Sequence, residues 1–367
     1  MNRCYDIWKN MEAKNSSADD MSAEEARLQA QRIAFGPIVF QAARLLRDLG
    51  ILKALRAARS GLTVEEVVNK VKISRYGLLV LLEAGLAAGL VLSENNRYML
   101  TKTGAYVLSD ELTRINMNVM HHCCFQAMYY PEESIRERKP IGLHKIFGDW
   151  DAIYPALPQL PEPARTSWFT WDHYYSDATY PQALPIVFER GHRTLLDLGG
   201  NTGRWALQCV RYSPDVSVTI LDLPGLVALA QHSIEDLGCQ ARVSTHAIDL
   251  LDHSRPFPEG FDAIWMSQFL MCFAEEDVLK LLERAAAAMS ENATLYILDN
   301  FWDRQAFEIG TYCLQTLSLY FTCLVNGCSR MYKASDIMDM VDSAGLRIER
   351  VIDNLGICSS LMISRRR

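Results

Sequence analysis

The chain runs to 367 residues, 49% of them apolar, enough to bury a sizeable core and to fill two domains. Its formal net charge of −7 excludes the basic footprint that a nucleic-acid backbone rewards; the one basic run, Arg365-Arg366-Arg367, reads as a solvated end, and no nucleic-acid partner is expected. Ten cysteines without a paired framework or CxxC spacing read as reduced thiols holding no metal, and residues 1–22 lack the apolar stretch of a secretory signal or membrane anchor, so a cytoplasmic protein is expected.

Residues 1–22 are expected to be loosely ordered. Residues 23–111 form a helical region that opens within the Ala/Arg/Leu-rich stretch from Met21 to Ala57, where apolar residues recur at three- and four-residue intervals and predict paired amphipathic helices. Gly61-Leu-Thr63 precedes a helix over Val64 to Val71, and Ser74 precedes a second to about Ala84. Arg97-Tyr98-Met99-Leu100 follows a polar turn at Glu94-Asn95-Asn96, completing the order of a winged helix-turn-helix. A DNA-reading helix has to be exposed and polar, whereas the segment after Ser74 runs Arg-Tyr-Gly-Leu-Leu-Val-Leu-Leu-Glu. Burial between two copies of the chain is the better use of that face, and a homodimer is expected. The most apolar stretch, Gly77 to Leu92, falls short of the roughly 20 residues a bilayer span needs and carries Glu83, so no membrane partner is expected.

Residues 112–185 are rich in Tyr, Trp, Phe, His and Pro, with Pro155, Pro158, Pro161 and Pro163 breaking the pattern before Trp168-Phe-Thr-Trp-Asp-His-Tyr-Tyr-Ser176. They read as a helical linker and pocket wall. From 186 to the end, short β-branched runs near 194–198, 216–222, 241–246, 261–267 and 293–300 alternate with helices, which predicts an α/β fold with a mostly parallel sheet. Arg347 to Val351 and Cys358 to Ser364, joined at Asp353-Asn354-Leu-Gly356, predict a closing antiparallel hairpin and a seven-stranded sheet.

Asp197 ends the first of these strands, and Gly199, Gly200 and Gly203 follow within six residues before a helix begins, an arrangement that lets backbone pass close to a nucleotide-type ligand. A dinucleotide fingerprint would require glycine where Asn201 and Arg204 stand, which disfavours NAD. S-adenosyl-L-methionine has no pyrophosphate to seat and needs only close backbone passage. Asp222 ends the second strand ahead of Leu223-Pro224, where a carboxylate can accept from both ribose hydroxyls. Asp249 after the third strand is placed to accept from an adenine amino group, although a lone Asp there is more often a turn residue.

Leu196-Asp-Leu-Gly-Gly-Asn-Thr-Gly203 followed by Leu221-Asp-Leu-Pro-Gly225 resembles the small-molecule O-methyltransferases of plant and bacterial secondary metabolism, over nearly the whole chain. The resemblance implies a Rossmann-like class I methyltransferase domain preceded by a winged-helix-like dimerisation domain, with S-adenosyl-L-methionine as donor and S-adenosyl-L-homocysteine as product. It further implies that the Gly199 loop meets the methionyl part, Asp222 and Leu223 the ribose, Asp249 and Leu250 the adenine, Ser176 the carboxylate end, and Ser267 and Gln268 the cofactor from the fourth strand. The family's His-Asp-Trp signature falls on Met271-Cys272-Phe273. A thioether sulfur is not a base near neutral pH, so the usual proton acceptor is absent. Of the two carboxylates that flank the family's histidine, one falls on Asp299 and the other near Ser329.

Methyl transfer from a sulfonium is an in-line displacement, so alignment supplies much of the acceleration. Three routes stay open: an acceptor that ionises readily, a ring carbon nucleophile ortho to a phenol, or a base from elsewhere, with His121, His122, His173, Tyr180 and Asp299 as candidates. Phe125, Met128, Trp171, Met271, Tyr312 and Gln315 are candidate residues around a flat aromatic acceptor. O-methylation of a small phenolic or aryl-acid acceptor is the leading expectation. C-methylation, a non-methylating relative of hydroxylase or decarboxylase type, and a DNA-binding regulator are the alternatives.

Overall fold

The computed structural model describes residues 21–367, so the loosely ordered start expected for 1–22 lies, up to residue 20, outside the described residues. The chain divides into two compact units, one ending at Met117 and one spanning Asn118–Arg367.

In the first unit, helices Ala23–Ala34, Gly36–Asp48 and Ile51–Arg56 precede Val64–Val71 and Arg75–Ala87, followed by strands β1 (Val91–Glu94) and β2 (Arg97–Leu100). Local chemistry fixes the starts. Ser22 with Glu25, and Thr63 with Glu66, form reciprocal capping boxes, and the Ser74 hydroxyl accepts from the Gly77 amide at 3.0 Å. The β1–β2 hairpin turns through Asn95 and Asn96, both in the left-handed region that a two-residue turn of this hand requires. Leu78, Leu82 and Gly85 of the Arg75–Ala87 helix pack inward, while Tyr76 (79% exposed), Val80 and Leu86 face outward. The winged-helix order is present, with an apolar outward face on its second helix.

The second unit is a seven-stranded sheet of β3 (Thr194–Leu198), β4 (Ser217–Asp222), β5 (Val243–Ala247), β6 (Ala263–Ser267), β7 (Thr294–Asp299), β8 (Leu346–Leu355) and β9 (Ser359–Arg366), in the order β5-β4-β3-β6-β7-β9-β8. All pairings are parallel except those of β9 with β7 and β8. Side chains alternate across the sheet: Leu196, Leu198 and Met266 join a core with the helix Glu275–Ala288, while Leu195 and Trp265 join a second core with Trp205. Trp205 and Trp265 stack at 3.9 Å, and the Tyr180 ring lies edge-on to Trp205.

Tyr180 belongs to a 25-residue helix, Ala164–Phe188, which starts directly after Pro163 and continues through Pro181 and Pro185. The linker boundary expected at 185/186 falls inside this helix, and the segment from Asn118 onward belongs to the second compact unit. β3 neighbours β4 on one side and β6 on the other, so the connections after β3 and β6 diverge, opening a crevice at the C-terminal ends of these strands. No described helix is long and apolar enough to cross a membrane.

Candidate active site

The loop after β3 is built so that no side chain can replace its glycines. Gly199 has φ +73° and its amide donates to the Leu221 carbonyl at 2.9 Å; a Cβ there would lie 2.4 Å from the Phe269 ring. A Cβ on Gly200 would lie 2.7 Å from Asp197 Oδ2. Gly203, at φ +80°, precedes the helix Arg204–Tyr212, and its amide donates to the Gly200 carbonyl at 2.9 Å. The backbone is thereby held taut between two strands.

Asp222 pins this loop. Its Oδ2 accepts from the Asn201 amide and its Oδ1 from the Leu223 amide, both at 2.7 Å. Asn201 sits at φ +51° to make that bond, and its side-chain amide donates to Asp172 Oδ2 at 3.1 Å. Two buried acceptors in the cluster, Asp197 Oδ2 and Asn201 Oδ1, have no partner. Burial pushes the Asp197 carboxyl up to about 8, with the Asp222 charge adding to the effect, and burial raises Asp222 to about 6 against the two amides it accepts. Buried acceptors of this kind fit a ligand that brings cationic or N–H donors.

The Ala164–Phe188 helix covers the loop. His173 Nε2 lies 3.1 Å from the Thr202 hydroxyl, and burial, aided by Arg204, depresses the imidazole to about 4, which makes it a neutral wall of the cofactor loop and a weak base. The buried Ser176 hydroxyl donates to the His173 carbonyl, and the Tyr180 hydroxyl lies 3.4 Å from Ser267 Oγ. Burial raises the Tyr180 phenol well above its ordinary value.

Beyond β6, Gln268 adopts φ +49° while its amide donates to the Leu298 carbonyl, delivering Phe269 over Gly199. The Met271 amide donates to Asp299 Oδ2 at 3.3 Å, and the Asn300 amide to Asp299 Oδ1 at 2.9 Å. Asp299 is 2% exposed and pushed up to about 7 by burial, and both its oxygens are committed to backbone beneath Met271. Near Ser329, Asn326 organises the chain: its Oδ1 accepts from the Ser329 amide and hydroxyl, and its Nδ2 donates to the Cys272 carbonyl at 2.8 Å. Glu275, Glu276 and Asp277 open the next helix, paired with Arg330, Arg138 and His253 respectively.

The candidate residues for an aromatic acceptor separate. Trp171 and Met271 border an aromatic wall in which Trp171 meets Tyr320 edge-on at 5.6 Å and the Trp168 indole donates to the Tyr320 hydroxyl at 2.7 Å; Met128 packs on the same cluster. Phe125 is half-buried at the end of the turn Met120–Cys124. Tyr312 (67% exposed) and Gln315 project from the outward side of the helix Glu308–Tyr320. His122 Nδ1 lies 2.7 Å from Ser167 Oγ, beside a cleft of about 280 Å³ lined by His121, Ile146, Phe147 and Glu162. Asp249 is exposed and caps its own turn by accepting from the Leu251 amide at 2.9 Å, while Leu250 is buried. Sequence reasoning missed Asp172, Phe269 and Asn326; only the placement of Asp172 four residues before Ser176, on one helical face, carried any signal.

Residues 27–98 match the family described as the Dimerisation2-like domain, and residues 181–347 match the O-methyltransferase domain. Among curated proteins, the chain is 22% identical to an L-tyrosine C(3)-methyltransferase of Streptomyces lavendulae, over 86% of each chain. It is 25% identical to a 3-hydroxy-5-methyl-1-naphthoate 3-O-methyltransferase of Streptomyces sahachiroi, over 83% of this chain and 85% of the relative. The solved structure of the S-adenosylmethionine-dependent methyltransferase SibL in its apo form shares the fold, with a TM-score of 0.68 and 24% identity, covering 91% of this chain and 98% of that one.

Proposed function

We propose that this chain, an S-adenosylmethionine-dependent methyltransferase built from a Dimerisation2-like domain and an O-methyltransferase domain, methylates a small aromatic acceptor. The observation that carries the reading is the pair of unpartnered acceptors, Asp197 Oδ2 and Asn201 Oδ1, in a loop locked by Asp222 and bordered by the Trp171–Tyr320 wall. When bound, S-adenosyl-L-methionine supplies an electrophilic methyl group on a sulfonium and leaves as S-adenosyl-L-homocysteine. Gly199, Gly200, Gly203, Asp197 and Ser176 would hold its methionyl part, Asp222 and Leu223 its ribose, Asp249 and Leu250 its adenine, and Ser267 and Gln268 its flank.

The chain's own contribution is alignment and exclusion of water. The Phe269 ring fixes the height of the loop, and the aromatic wall offers a flat apolar surface on which an acceptor ring lies beside Met271. Aromatic faces near a sulfonium add about 0.5–2 kcal/mol. Oxygen is the first target. A ring carbon is the second reading, favoured by the similarity to a tyrosine C(3)-methyltransferase over most of both chains. The exposed apolar residues Ile33, Phe35, Ile38, Tyr76 and Val80 of the first unit support a homodimer through that domain. Incubation with S-adenosyl-L-methionine and a panel of phenols and aryl acids, with the product read by mass spectrometry and NMR, tests this: a methylated aromatic product is expected, and none from any acceptor would contradict it.

A further inference from the structure

Resting on the methyl-transfer reading above, we propose that Asp172 is the proton acceptor of the reaction, its Oδ1 receiving the proton of the acceptor's hydroxyl. Three consecutive residues of the Ala164–Phe188 helix divide the site among them. Trp171 meets Tyr320 of the aromatic wall, His173 meets Thr202 of the glycine loop, and Asp172 between them takes the Asn201 side-chain amide on Oδ2. Oδ1 has no hydrogen-bond partner among the described residues. The residue is partly accessible, and its charge reaches both the Tyr154 hydroxyl and the thiol of Cys272, the neighbour of Met271. A carboxylate so placed faces the loop that would carry the donor and the wall that would carry the acceptor.

Four other candidate bases are spent elsewhere. Both oxygens of Asp299 accept backbone amides, His173 is held neutral against Thr202, the Tyr180 phenol is buried against Ser267, and His122 lies against Ser167. The groups facing Asp172 are Arg204 from the helix Arg204–Tyr212, Asp177 and Tyr180 on its own helix, Asn201 from the loop, and Tyr154 and Cys272 from other segments. Burial, reinforced by Asp177 and opposed by Arg204 and Asn201, brings the carboxyl up to about 7, where a general base works best near neutral pH. The step balances: the hydroxyl proton passes to Asp172 Oδ1, the oxygen's electron pair forms the bond to the methyl carbon, and the C–S bond breaks with its pair remaining on sulfur. The proton then passes from the partly accessible Asp172 to solvent, which regenerates the carboxylate.

The test is Asp172→Asn, which keeps an oxygen to accept the Asn201 amide and removes only the base. With the full chain and an acceptor found by the panel, kcat is expected to fall about 10²–10⁴-fold with KM for the acceptor little changed. The wild-type loss of rate below about pH 7 should disappear. Asp172→Glu should restore part of the rate together with the pH limb, which covers a misfolded Asn variant. A second readout needs no turnover: in the presence of S-adenosyl-L-homocysteine, a bound nitrophenol should ionise in two coupled steps by visible absorbance in the wild type and in one in Asp172→Asn. An unchanged rate and pH limb, or identical nitrophenol titrations, would overturn the assignment. If the wild type methylates nothing in the panel, the functional reading fails while the nitrophenol titration still decides Asp172.

Discussion

Replacing Gly199 with alanine should strike the loop in two separable ways. The residue sits at φ +73°, where an L side chain costs roughly 1–2 kcal/mol, and its Cβ would stand 2.4 Å from Cδ2 and 2.8 Å from Cε2 of the Phe269 ring. Relieving such an overlap in a packed site costs roughly a further 1–3 kcal/mol, so the variant should lose about 2–5 kcal/mol in urea unfolding. S-adenosyl-L-homocysteine affinity should fall as the loop is pushed toward the ligand. Phe269→Ala removes the ring but leaves the dihedral strain, so in a double-mutant cycle the two changes should couple by about 1–3 kcal/mol. Calorimetric titration and urea melts of the four proteins provide the cycle. A single-variant loss below about 1 kcal/mol, or no coupling to Phe269, would refute the reasoning that this ring and this dihedral together demand glycine.

Further outcomes follow from other contacts. Asp197 titrates near 8 when folded against roughly 3.9 unfolded, so its protonated form stabilises the protein fully at low pH and that contribution is lost as pH rises from about 4 to about 8. Asp197→Asn should therefore raise the Tm of the unliganded protein at pH 8.5 relative to wild type (a test pH of about 0.5 above that value) and change it little at acid pH; equal shifts at both would contradict this. Trp168→Phe removes the donor to the Tyr320 hydroxyl, a 2.7 Å buried bond, and should cost about 1–3 kcal/mol in a denaturant melt. Met271→His should leave S-adenosyl-L-homocysteine binding intact by titration and alter which panel phenols are accepted, because residue 271 borders the aromatic wall; loss of cofactor affinity would contradict that placement.

The sheet was legible because its strands are short β-branched runs between helices, a periodic signal that tertiary contacts reinforce: β7, Thr294–Asp299, lies within the expected 293–300, and all six of its residues are buried. The loop was legible through Gly199, Gly200 and Gly203, and Asp222 through the strand before it and the proline after. The span of the Ala164–Phe188 helix was harder to read, since Pro181 and Pro185 punctuate it and its aromatic residues show no single apolar face. Asp172 and Phe269 escaped for a related reason. The carboxylate matters through Asn201, 29 positions away in the sequence, and the ring through Gly199, and neither pairing leaves a spacing pattern that a linear reading can detect. Met271 was visible as a missing base, but its amide bond to Asp299, which takes that carboxylate out of the chemistry, is a property of the turn after β6.

The most direct measurement is the fate of an isotopically labelled methyl group. With the full chain, methyl-labelled S-adenosyl-L-methionine and a phenolic acceptor that turns over, the label should appear in the aromatic product in step with S-adenosyl-L-homocysteine, and NMR should place it on oxygen or on the ring. Label that remains on the cofactor, or product that carries none, would contradict methyl transfer by this site.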